Sequence, residues 1–197
     1  MDMTIENLVN EQDKILIVFV HLGTNPSPTL IKFANVAIEN LPMARSVLIT
    51  DNSSKWKEFP GTILDFNVCH VESVLKIILK RNPEYKNIAG GYWMNTLIRI
   101  FSLRQVIEHF KEFQIIHFES DVISFIDRDV LNAMSKKYLK TSVPRFSSER
   151  GIASVLYSPS SSRLILDLNN LEELLMSNNL VNNDMELLGM GLNLGVL

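Results

Sequence analysis

One cysteine, Cys69, stands alone in 197 residues, so no disulfide can form within the chain. A reducing compartment fits that usage. Long apolar runs are missing as well. The longest near the start, Ile15 to Val20, falls far short of the roughly 20 residues a membrane-spanning helix needs. Met1 to Asp13 is polar and acidic, without the basic flank and apolar core of a signal peptide. These absences lead us to expect a cytoplasmic protein with no transmembrane segment. Positive charge is not concentrated anywhere. Lys and Arg number 19 against 22 Asp and Glu, the formal net charge is −3, and no dense basic stripe appears, which argues against a nucleic-acid partner. No internal repeat, low-complexity tract or linker divides the sequence, so one domain over residues 1–197 is expected. Gly90-Gly91 lacks the Gly-Lys-Ser/Thr continuation of a phosphate loop. Cys69-His70 has no second Cys or spaced His pair to complete a zinc set.

What the chain does have is an alternation of strand-like and helix-like segments. Ile15 to Val20 is a continuous β-rich run, closed by the turn-forming stretch His21 to Pro28. Thr29 is placed to cap a helix reaching about Asn40, with Leu30, Phe33, Ala34 and Ile38 on one side. Ser46 to Thr50 and Ile63 to Val68 read as short strands, and Glu72 to Lys80 as a helix. After a loop from Asn82 to Gly91, the strongest helical period in the chain predicts one helix from Tyr92 to about Lys111. Trp93, Leu97 and Phe101 repeat every four residues, as do Leu103 and Ile107, and Val106 and Phe110. Later segments predict a helix over Asp129 to Tyr138, extended chain over Thr141 to Arg145 and a buried strand over Gly151 to Tyr157. A final long helix is predicted over Ser160 to Ser177, with Leu164, Leu168, Leu171 and Leu175 on one stripe. Such alternation predicts an α/β fold in three layers, a mostly parallel sheet covered on both faces. Sheets of this kind bind ligands at the carboxyl ends of their strands. Three polar clusters fall at such ends: His21 to Asn25, Asp51 to Ser54, and Glu119 to Asp121.

The third cluster carries the most chemistry. Gln114-Ile115-Ile116-His117-Phe118 reads as a buried strand that runs into Glu119-Ser120-Asp121. In extended chain, residues two apart point the same way, so Glu119 and Asp121 are expected to face one site while Ser120 faces away. Carboxylates at the end of a buried strand cost stability unless a cation or donors satisfy them. A hard divalent metal carrying a diphosphate would do so.

The segment Tyr92 to Leu103, followed by Ile116-His117-Phe118-Glu119-Ser120-Asp121-Val122, resembles nucleotide-sugar glycosyltransferases of the GT-A type, in which an aromatic-rich helix precedes a strand ending in Asp-x-Asp or Glu-x-Asp. Gly151 to Tyr157 looks like the strand that follows in those enzymes, and Asn182 to Leu188 like a later acidic segment. The resemblance implies a Rossmann-like nucleotide-diphospho-sugar transferase fold. It further implies metal-dependent transfer of a sugar from a nucleoside diphosphate, a UDP-sugar before a GDP-sugar, to a saccharide or surface-glycan acceptor with Mn2+ or Mg2+. Asp121 would then be the principal metal ligand and Glu119 its support, on the metal directly, through water, or on the ribose. His21, Gly23 and Thr24 would line the nucleotide pocket, with Asp51 and Asn52 near base and ribose. Arg99 would reach a phosphate or orient an acid, and Asp184 would serve the acceptor side or act as base. The motif opens with Glu rather than Asp, and the chain ends at Leu197 where such enzymes commonly continue, so a short or minimal version is expected.

Plainer alternatives stay open at each position. Glu119 and Asp121 could only end a strand, Asp51 could be a turn acid, and Arg99 could pair with a nearby acid. His21 and His117 could be satisfied loop or core histidines, Trp93 and Phe101 core aromatics, and Asp184 a helix cap. At the level of function, the rivals are a non-catalytic remnant that binds a nucleotide-sugar or a partner enzyme, and a phosphoryl-transfer or hydrolase domain using the same acid pair.

Overall fold

The computed structural model describes residues 14–23, 27–86, 92–178, 181 and 183–197. In chain order it contains β1 (Ile15–His21), α1 (Pro28–Asn40), β2 (Arg45–Thr50), β3 (Thr62–Asp65), α2 (Glu72–Arg81), α3 (Tyr92–Ser102), α4 (Arg104–His109), β4 (Gln114–Phe118), α5 (Arg128–Lys137), β5 (Val155–Ser158), α6 (Ser161–Ser177) and α7 (Asp184–Asn193). The strands form one sheet in the order β3-β2-β1-β4-β5. All pairings are parallel except β4 with β5. The expected mostly parallel α/β sheet is therefore present.

The apolar run of β1 follows from its position. Hydrogen-bonded on both edges and covered on both faces, a central parallel strand has no solvent side. Leu16, Val18 and Val20 join the core beneath α2, α3, α4 and α6, while Ile15, Ile17 and Phe19 join the core beneath α1 and α5. The four-residue leucine stripe of α6 is fully buried in the first of these cores. The chain builds β2 and β3 on one side of β1, then crosses back to build β4 on the other. The carboxyl ends of β1 and β4 therefore flank the topological switch point, where sheets of this class leave a crevice.

Several boundaries differ from the sequence reading. The helix predicted from Tyr92 to Lys111 is two helices. Leu103 Nα donates to Ile100 O and Val106 Nα to Leu103 O, three-residue spacings that interrupt the four-residue ladder. The Ser102 hydroxyl bonds back to Arg99 O at 2.7 Å, a contact that bends helices. The change of phase between the Leu97–Phe101 stripe and the Leu103–Ile107 stripe marks the same break. It buries Gln105, whose side chain donates to Asp65 O at 2.6 Å and accepts from Asn67 Nα at 3.0 Å, clamping the end of β3. Thr29 is not the cap of α1; Ser27 occupies that position with Pro28 as the first helical residue. The third strand stops at Asp65, and Val68–His70 forms a single tight turn capped by Asn67. Pairing in the Gly151–Tyr157 stretch is confined to β5, with Gly151 and the extended Thr141–Arg145 chain joined by isolated bridges, Ser142 to Tyr157 and Arg145 to Gly151.

α7 approaches the chain around Glu149 closely. A Cβ on Gly189 would lie 2.1 Å from Glu149 O, so only glycine allows the contact. Gly151 Nα donates to Met185 O at 2.9 Å across the same seam. This seating brings Asp184 to the sheet. No helix among the described residues is long and apolar enough to cross a membrane.

Candidate active site at the end of β1 and β4

A pocket of about 170 Å³ opens at the switch point. His21 and Leu22 form one side and Ser120 the other, and Asn95, Thr96 and Arg99 of α3 form the wall. Asn95, Thr96 and Arg99 share a helix face because residues three and four apart are neighbours there.

Arg99 is the centre of the wall. Its guanidinium pairs with Glu119 Oε1 and lies 4.0 Å from Asp184 Oδ2. The second oxygen of Glu119 accepts from the Ser154 hydroxyl at 3.1 Å, and its backbone amide donates to Ser154 O at 3.1 Å. Both charged side chains are largely withdrawn from water, at 17% and 18% exposure, so the pair is not a screened surface contact. The ion-pair alternative for Arg99 is thus realised, and its acid is Glu119. Asp184 is 5% exposed. Burial raises the pKa of its carboxyl, opposed by the Arg99 cation, by the amides of Met185 and Asp184, and by the Thr96 hydroxyl. It is the first residue of α7 and not its cap: Asn183 holds that position and accepts from Glu186 Nα at 3.0 Å.

The expected alternation of Glu119 and Asp121 does not hold. β4 ends at Phe118, and Val122 Nα donates to Glu119 O at 3.1 Å, closing a turn over residues 119–122. In a turn the two-residue period no longer applies. Ser120 accordingly lines the pocket instead of facing away. Asp121 is exposed, and its carboxylate makes no hydrogen bond or ion pair with the described residues. Glu119 has both oxygens engaged, so a direct metal bond from it requires release of Arg99 or Ser154. Among the described residues no three of His, Cys, Asp and Glu are grouped to hold a metal.

The β1–β2 side of the rim is built differently. Both carboxylate oxygens of Asp51 lie 3.1 Å from Gly23 Nα, tying the turn after β2 to the turn after β1. Gly23 has a φ of +151°, a conformation other residues adopt only with strain. Asn52 Nα donates to Thr50 Oγ1 at 3.3 Å, and Asn52 Oδ1 accepts from the Ser54 hydroxyl at 3.0 Å. The His21 ring stands edge-on to Trp56, centroids 4.9 Å apart. Thr24, Asn25 and Gly90-Gly91 lie outside the described residues, as does the side chain of Trp93.

Thr96 and Ser154 were missed by sequence reasoning. Thr96 was legible in principle, because it precedes Arg99 by three on a predicted helix. Ser154 was not, since its meeting with Glu119 depends on the register of β5 against β4.

The fold is similar to that of a solved structure described as PaToxG Glycosyltransferase, with a TM-score of 0.56 at 13% sequence identity, over 93% of this chain and 72% of that one. A likeness at that identity is one of architecture: the chain has a Rossmann-like glycosyltransferase fold around its five-stranded sheet. No protein-family model matches the chain, and no curated protein does.

Proposed function

We propose that this chain is a GT-A-type glycosyltransferase domain. It moves a sugar from a nucleoside diphosphate, a UDP-sugar or else a GDP-sugar, to a saccharide or surface-glycan acceptor, with Mn2+ or Mg2+ bound. The observation that carries the reading is the pocket at the β1–β4 switch point, where a largely buried arginine sits between two carboxylates and Ser120, the neighbour of the exposed Asp121, lines the opposite side. The resemblance in the Glu119–Asp121 segment and the glycosyltransferase fold support it.

Asp121 suits a metal of this kind. Magnesium is commonly held by one or two carboxylates together with substrate phosphates and water, so a full cage of protein ligands is not needed. When bound, the metal supplies Lewis-acid neutralisation of charge growing on the departing diphosphate. Glu119 then serves chiefly to hold Arg99 in place. The guanidinium edge that faces the pocket adds a second cation for phosphate oxygens. Asp51 and Gly23 shape the rim that would take ribose and base, with His21 and Asn52 beside them. In an inverting transfer, Asp184 would be the carboxylate to take the acceptor's proton, supported by its place 4.0 Å from Arg99 behind the pocket wall. Because burial raises its pKa, it is a stronger base than a free aspartate, and activity that needs it ionised falls as pH drops through a range above the ordinary aspartate value.

Asp121→Asn tests the assignment. Calorimetry with a UDP-sugar and manganese should show metal-dependent binding in the native chain and none in the variant, with folding stability changed by less than about 0.5 kcal/mol, as for an exposed residue without partners. Equal affinity in both would refute the site. A second reading has its own support. Arg99 and Glu119 neutralise one another, and about 170 Å³ is smaller than the several hundred usual for a small-molecule site. Both fit a domain that binds a nucleotide-sugar or a partner enzyme without turnover. Donor hydrolysis with and without EDTA separates the two, since metal-independent binding with no turnover belongs to the second.

A further inference from the structure

His117 is 1% exposed near the carboxyl end of β4, and the proposed chemistry makes no use of it. Its Nδ1 lies 3.0 Å from Val18 O on the neighbouring strand. A carbonyl oxygen only accepts, so Nδ1 carries the proton and Nε2 is left as a bare acceptor. That Nε2 is buried and has no hydrogen-bond partner among the described residues. Among the other buried side-chain atoms left alone is Arg99 Nε, an N–H that can only donate. A buried donor and a buried acceptor each left alone cost about 1–3 kcal/mol, which is why such pairs are nearly always closed.

Both orphans belong to groups that interact electrostatically, since the Arg99 charge acts on the His117 ring. His117 shares the face of Val18, which packs in the core beneath α3. Glu119 follows two residues on, about 7 Å along extended chain. Arg99 pairs through its Nη2 with Glu119, two residues beyond His117, and its Nε lies nearer the helix along the same side chain. The Arg99 charge acts on the imidazole and, after burial, is the second cause that keeps His117 neutral, with a pKa of about 3.

We propose that His117 is a positioning residue for Arg99: its Nε2 accepts, through one bridging water, from the Arg99 Nε–H, fixing the plane of the guanidinium that spans Glu119 and Asp184. Two polar partners and a confined polar site are what a buried water requires. Arg99 is then held from two sides, by Glu119 at its end and by the sheet at its root, and presents a constant edge to the pocket. The imidazole does not exchange a proton in this role; it serves as a fixed lone pair. The link is a property of the folded chain and does not depend on the glycosyltransferase reading, although Arg99 matters to both.

Nitrogen NMR of the full chain tests it without any sugar nucleotide. In the native protein, His117 Nε2 should show the shift of an unprotonated, hydrogen-bonded nitrogen, and the Arg99 Nε–H should give a resolved, slowly exchanging signal. His117→Leu, which fills the volume without an acceptor, should lose or displace the Arg99 signal. His117→Gln, which keeps an acceptor at similar depth, should restore it. Where donor binding is measurable, His117→Leu should weaken it roughly ten-fold with Gln recovering most of the loss, the scale on which removal of a supporting partner acts. A protonated or unbonded Nε2 in the native chain overturns the proposal, even if the Leu variant fails to fold. So does an Arg99 signal unchanged in His117→Leu, or lost equally in His117→Gln. Loss of sugar-nucleotide binding in every form, with the NMR link intact, would count against the proposed function and leave this inference standing.

Discussion

On the β1–β2 side of the rim, the polar residues are exposed or half-buried and lightly tied. One carboxylate, Asp51, meets one amide, Gly23, and Asn52 makes two short-range turn bonds, with Thr50 and Ser54. On the β4–β5 side, Arg99, Glu119, Ser154, Asp184 and Thr96 form a largely buried network, with the buried His117 two residues before Glu119. The contrast teaches that polar residues at strand ends are not equivalent even when they surround one pocket. The open half can rearrange around a ligand at little cost. The closed half resists rearrangement, because every charge in it depends on the others in a medium where an unpaired charge is expensive.

Breaking the closed half should cost the most. Arg99→Met strands Glu119 and Asp184 without their cation, and urea denaturation at pH 7 should show a loss of about 3–5 kcal/mol. Adding Glu119→Gln to that variant should recover part of the loss. A change under about 1 kcal/mol would mean that the network is no more binding than the open rim.

Acid should attack the same half. His117 is neutral in the folded chain to about pH 3, whereas the unfolded chain takes up the proton near 6.5. The folded value is depressed, so this contribution is fully present above pH 6.5 and is lost as pH falls toward 3, at ~1.4 kcal/mol per unit. Denaturation midpoints followed from pH 7 to 4 should fall along this slope, and His117→Gln should flatten it. An unchanged slope would show that other groups govern acid stability.

The seam that seats α7 should respond less. Gly189→Ala forces a methyl against Glu149 O, and an overpacking loss of roughly 1–3 kcal/mol is expected. Because α7 carries Asp184, the variant should also shift the pH limb of any activity. The smallest effect belongs to the open half. Asp51→Asn weakens a single exposed contact and should change stability by less than about 1 kcal/mol, while donor affinity, if the rim takes ribose, should fall with no change in metal dependence. A larger stability loss there would erase the contrast between the halves.

The fold was legible where burial is one-dimensional. The run Ile15 to Val20 could only be a strand buried on both faces, and the α6 leucine stripe could only be a helix facing a core, because side-chain period reports directly on which faces are dry. The break at Leu103 was half legible, in two stripes of different phase that a single helix cannot satisfy. The site was less so. Glu119 and Asp121 drew attention for a sound reason, the cost of acids at a buried strand end, but the alternation argument assumed that the strand continued. A turn at residues 119–122 separated them, giving one acid to Arg99 and Ser154 and the other to solvent.

The sequence by itself determined the α/β alternation, the apolar faces and the polar clusters at strand ends, since these follow from periodicity and from the chain's own neighbours. Only the tertiary structure decided which partner each charge would have. Arg99, Glu119, Ser154 and Asp184 are far apart along the chain, and their meeting depends on the crossing of β4 beside β1, the antiparallel return of β5 and the seating of α7. Electrostatics acts through space and is strongest where water is excluded, and neither distance nor burial can be read from spacing along a chain.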